Sequence, residues 1–179
     1  MRYLLILTSH LLLFFWTSMA FALSVDDIPI AHTPRIGDNC GYKKVPPPIL
    51  SKCTDPVAKG IPDISGYWMI PGNEHTIHRI EQCANRVVIT GAHVIHDMRV
   101  DGTIKNGVHD VRQADIPACV PVVVSAQFVQ GALVLSIDNQ PMVTRKLLAP
   151  DKLEINFGGK IRELQRMKEE DIRAWENKE

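Results

Sequence analysis

Five of the seven histidines fall close together, His75 and His78, His93 and His96, then His109. Neutral imidazole is the commonest side-chain metal ligand, and a neighbouring carboxylate can fix its tautomer. Glu74, Asp97 and Asp110 stand close enough in sequence to serve. A three-residue spacing places two side chains on one face of a helix but on opposite faces of a strand. These histidines lie in β-branched runs, so at most one of each pair points inward. Alternation with Val94, Met98 and Val100 puts His96 on the apolar side, and Ile80 puts His78 there too. His78 and His96 are then expected to meet across neighbouring strands, either as zinc or copper ligands or as hydrogen-bonded polar residues of the sheet. No other cofactor is implied.

Catalytic patterns are sparse. The chain has no Gly-x-Ser-x-Gly elbow, no glycine-rich phosphate loop and no H-E-x-x-H pair. Ser125 and Ser136 sit inside apolar runs, where packing explains them. Asp97, Asp101 and Asp110 with the histidines leave general acid–base chemistry as an alternative, but no residue is nominated as catalytic.

Four cysteines, Cys40, Cys53, Cys83 and Cys119, offer the second kind of chemistry. Their compartment is set by the N-terminus: Arg2, an apolar stretch over residues 4–16, then Ala20-Phe21-Ala22 form the pattern of a cleavable export signal over residues 1–22. The stretch falls short of the roughly 18–20 residues that cross a bilayer. A soluble periplasmic or secreted protein beginning at Leu23 is expected, with no transmembrane anchor. In an oxidising compartment an even set of cysteines points to disulfides. Three pairings are possible, and position favours Cys40 with Cys53 and Cys83 with Cys119. Zinc ligation by thiols lacks the usual C-x-x-C pair.

The 20 basic and 20 acidic residues are intermixed, and loss of Arg2 with the leader brings the net charge to about −1. Nucleic acid demands a concentrated positive face, so it is not an expected partner.

The elements that hold these groups are short strands. Residues 23–62 carry seven of the twelve prolines, including Pro46-Pro47-Pro48, and read as an extended arm. Residues 63–167 alternate short β-branched runs with Gly, Asn, Asp and Pro turns. Leu133, Leu135 and Ile137 mark one face, and Leu153, Ile155 and Phe157 oppose Glu154 and Asn156. Asp101-Gly102 and Asn106-Gly107 are competing turn sites, and residues 120–130 read as a single run. Residues 168–179 read as a short helix, with Ile172 and Trp175 on one side. About 8–10 strands joined by hairpin-length turns predict an all-β, antiparallel up-and-down barrel, with a β-sandwich as the competing architecture.

Gly66-Tyr67-Trp68, at the start of the first barrel strand and preceded by Asp63-Ile64-Ser65, resembles the opening motif of lipocalin-like, or calycin, barrels. The resemblance implies that Trp68 closes the barrel floor under a basic residue of the last strand. Lys160, Arg162 and Arg166 are available, with Arg162 taken as the structural partner of Gly66 and Trp68. The tripeptide motifs that lipocalins carry in later loops are absent. The expected activity is binding of a small apolar molecule or lipid inside the barrel, lined by Val94, His96, Met98, Val108, Phe128, Leu133, Leu135 and Phe157. The alternatives are an envelope protein that docks to a protein partner through its arm, and a histidine-dependent metal protein or enzyme on the same fold.

Overall fold

A computed structural model describes residues 23–36, 39–42, 44–91, 94–103, 107–110 and 121–177. The leader at 1–22, His93 and Cys119 lie outside them. No helix among the described residues is long and apolar enough to cross a membrane.

The protein is nearly all β. Arg35–Ile36 (β1) and Asn39–Cys40 (β2) form a small ribbon within the arm. The main sheet comprises β3 (Gly66–Ile70), β4 (Asn73–Cys83), β5 (Arg86–Gly91), β6 (Val94–Arg99), β7 (Gly107–Asp110), β8 (Pro121–Val123), β9 (Ser125–Val129), β10 (Ala132–Ile137), β11 (Gln140–Ala149), β12 (Lys152–Phe157) and β13 (Lys160–Arg166). Every pairing in it is antiparallel, in the order β8-β7-β6-β5-β4-β3-β13-β12-β11-β10-β9.

The turns explain the meander. Gln130-Gly131, Asp138-Asn139 and Gly158-Gly159 each have both residues at positive φ, from 49° to 84°. That is what a two-residue type I′ hairpin demands, and Gly, Asn and Asp tolerate it best.

Nine strands, β3–β6 and β9–β13, curl into a nearly closed antiparallel barrel. Closure comes where Asp101 bridges Gln127 and the Gly102 amide donates to the Ala126 carbonyl at 2.9 Å. Met98 lies opposite Gly107, so Asp101-Gly102 does not make a tight β6–β7 hairpin but ties β6 to β9. The expected single run over 120–130 is two strands: β8 pairs with β7, β9 pairs with β10, and buried Val124 carries the chain across the seam. The opposite joint is thin, since β13 meets β3 only at Gln165↔Met69 and Arg166↔Trp68.

One apolar core fills the floor. Ile64, Trp68, Ile80, Val87, Met98, Leu133, Leu153 and Leu164 are all buried within it, so side chains from opposite walls meet. A second core lies outside the barrel, where Val25, Ile28 and Leu50 of the arm cover Val88 and Ile95. Strand β5 is therefore buried on both faces along its whole length.

Covalent geometry corrects the favoured cysteine pairing. Cys53 is bonded to Cys83, at a sequence separation of 30, and so not to Cys40. The bond ties the arm to the end of β4 instead of closing a loop within the arm. Cys83 is consequently not paired with Cys119. The C-terminal helix α1 spans Glu169–Glu176. It docks where Tyr67 donates to Glu176 Oε1 at 2.8 Å and meets Trp175 edge to face, ring centroids 6.0 Å apart.

Candidate binding site in the barrel

The floor is built around Trp68, fully buried, with its Nε1 donating to the Ile64 carbonyl at 3.0 Å. The Arg166 guanidinium lies over its ring, 4.2 Å from the centroid, a cation–π geometry. Arg166 also donates from Nη1 to the Ser65 carbonyl at 2.6 Å and from Nε to the Pro150 carbonyl at 2.7 Å. The expected basic partner is thus Arg166. Arg162 is exposed, because it lies on β13 beyond the short joint with β3. Gly66, at φ 128°, is needed for this packing, since a Cβ there would collide with Arg166 Nη1.

The expected lining divides by depth. Met98, Leu133 and Leu135 are buried members of the packed core. Phe128 packs against that core, and Val94 and His96 are half-buried. Phe157 is not interior: it is 56 % exposed, because it stands at the Gly158-Gly159 end of β12, where the barrel meets solvent. The side chain of Val108 lies outside the described part.

The two histidines face inward but do not meet across neighbouring strands. His78 lies opposite Gly91 and His96 opposite Ile89, so the whole of β5 stands between them. Among the described residues the one metal-competent cluster is Cys53, Asp55 and Cys83, whose sulfurs are already joined to each other.

What His78 does meet is a cation. Arg145 faces the interior, opposite Leu133 on β10 and Ile155 on β12, and is 5 % exposed. Burial lowers its pKa to about 10, so it stays charged at neutral pH. Burial, and then the Arg145 charge, lower the His78 pKa to about 4, so the imidazole is neutral. Gly91 makes room for the ring, because a Cβ there would come within 2.9 Å of His78 Nδ1.

Buried arginines elsewhere are saturated. Arg86, on the outer face of β5, forks onto Asp97 at 2.8 and 2.6 Å and donates to the carbonyls of Val25, Ile28 and Pro29. Arg79 pairs with Glu81 at 3.0 Å and donates to the carbonyls of Pro46 and Pro47. Both hold the arm to the barrel by donating to its backbone carbonyls. Arg145 differs: among the described residues it has no carboxylate partner, and its Nη1 has no acceptor. Leaving a buried charged donor unsatisfied costs upwards of 1–3 kcal/mol. Sequence reading missed Arg145, although its alternation with Val143 and Leu147 places a charge on an apolar face.

Compared with protein-family models, curated proteins and solved structures, the chain matches none.

Proposed function

We propose that this chain is an exported binding protein that holds a small apolar molecule or lipid in the upper half of a lipocalin-like barrel. The observation that carries this reading is the gradient along β12. Leu153 is fully buried at the packed floor, Ile155 is half-buried one pleat higher, and Phe157 is 56 % exposed at the open end. An apolar wall that opens from a sealed base towards water suits a guest that is itself largely apolar.

Two features support export to the periplasm or the exterior: the leader pattern of residues 1–22 and the Cys53–Cys83 disulfide. Docking of the arm to another protein is less well supported, since Val25, Ile28 and Leu50 are already buried against the barrel.

The test is titration of the mature protein with the uncharged dye N-phenyl-1-naphthylamine. Saturable enhancement of the dye at one equivalent, with quenching of tryptophan emission, is expected. Dye fluorescence that rises without saturation would count against an enclosed site.

A further inference from the structure

We infer that the open edge of β13 accepts an extended segment of a partner protein, a strand with carboxylates on the face turned to Lys160 and Arg162. Such docking is independent of any guest inside the barrel.

Successive residues of a strand turn their N–H and C=O groups to opposite edges. On β13 the Arg166 amide donates to the Asp151 carbonyl at 2.9 Å and the Met167 amide to the Tyr67 carbonyl at 2.8 Å, which fixes the parity. Lys160, Arg162 and Leu164 therefore bond to β12, while Ile161 and Glu163 turn their backbone groups to the β3 side. Among the described residues no strand receives them there. The ladder with β3 stops at Gln165↔Met69, and β3 ends at Ile70 before Pro71, which has no N–H to extend it. An edge with unpaired N–H and C=O groups is a template for a further strand.

The hairpin that carries this edge is exposed along its tip. Every residue from Phe157 to Glu163 is exposed, with Phe157 at 56 % and Ile161 at 63 %. A lipid surface fits it poorly. The Gly158 amide donates to the Met142 carbonyl at 3.2 Å, so the polar Asp138-Asn139 turn of the neighbouring hairpin stands beside the tip.

Charge decides which strand fits. A second copy is the simplest candidate, and the edge is built against it. A two-fold pairing that joins Ile161 to Glu163 sets Arg162 directly against its own counterpart, with Cα atoms about 4.5 Å apart. Centred on Ile161 instead, the pairing sets Lys160 against Arg162. Like charges directly opposite destabilise a strand pair. A foreign strand with acidic residues on that face turns these repulsions into attractions. Glu163 does not compete for the two cations, because it lies on the other face and pairs with Lys152 at 2.9 Å.

The experiment is heteronuclear NMR with amide hydrogen exchange on the mature protein and two short capped peptides, valine alternating with glutamate and valine alternating with lysine. In the free protein the Ile161 and Glu163 amides should exchange faster than those of Arg162 and Leu164. The glutamate peptide is expected to protect both open amides and to bind about tenfold more tightly than the lysine peptide. Arg162→Glu should reverse that preference. Ile161→Pro removes an N–H on the open side only, which an edge strand tolerates, and should abolish binding.

Equal affinity for the two peptides would overturn the acidic partner, and no protection by either would overturn the edge as a docking site. Unchanged glutamate-peptide binding by Ile161→Pro would reduce the contact to charge attraction and overturn strand addition. Should that variant not fold, protection of the two amides in wild type decides the same point. Binding to phosphatidylglycerol vesicles without response to either peptide would make the tip a membrane contact and refute the proposal.

Discussion

At the scale of single residues the decisive positions are those where a side chain is held against its ordinary preference. His78 is neutral because it is buried beside Arg145, with a pKa near 4 in place of 6.5. Between those values the unfolded chain binds the proton and the folded chain does not, so stability falls as pH drops from about 6.5 towards 4. The full loss is roughly 3 kcal/mol. Urea midpoints at pH 7 and pH 4.5 measure it. His78→Gln should reduce the difference between them, and an unchanged difference would place the titration elsewhere. Gly66 is held by a different constraint. Gly66→Ala combines an unfavourable φ with displacement of Arg166 from Trp68, and a loss of about 2–3 kcal/mol is expected in the same assay.

At the scale of elements, the arm and barrel form one unit through hydrogen bonds between the arm backbone and buried charged side chains of the barrel, and through a covalent bond. Removing one partner of Arg86–Asp97 leaves the other buried and uncompensated, so Arg86→Ala should cost about 3–5 kcal/mol. Hydrogen exchange should show accelerated opening over residues 25–30. The Cys53–Cys83 bond closes a loop of 30 residues, and Cys53→Ser with Cys83→Ser should cost about 3–4 kcal/mol by loop entropy. A melting temperature equal to wild type would mean that the arm docks without it.

The strands themselves were legible because period-two alternation and turn residues are local signals. Residues 132–138 and 153–157 agree with β10 and β12 to within a residue. Depth was not legible. Face parity puts Phe157 on the inner side of β12, but only closure of the barrel tells that this end of the strand is exposed. Contacts across the chain were equally hidden. Asp97 reads as an outward residue, and it is one, yet it is buried because Ala31 and Arg86 meet it from elsewhere. Arg145 carries a local sign, a charge in phase with Val143 and Leu147, but its burial follows from closure of the barrel, which is not a local signal.

Taken as a whole, the molecule is a nearly closed barrel with a packed floor and an arm strapped across its outer wall. A cleavage after Ala22 would leave Leu23 as the new terminus. Its nitrogen donates to the Lys52 carbonyl at 3.1 Å, and Thr54 returns a bond to the Leu23 carbonyl. The intact mass of protein recovered from the exported fraction should correspond to a chain starting at Leu23. A mass including residues 1–22 would remove the basis for an exported protein.

The strap imposes an order on biogenesis. Cys40 and Cys53 leave the ribosome and reach the oxidant before Cys83, and they are the nearest neighbours along the chain. Yet Cys53 finishes bonded to Cys83, and the barrel groups that hold the arm, the Arg86 donor and the Asp97 acceptor, follow later still in the chain. Early oxidation therefore favours a short misbridged loop that must be undone by thiol–disulfide exchange. Production in a host lacking a disulfide isomerase should accumulate that trapped isomer, which migrates differently on a non-reducing gel.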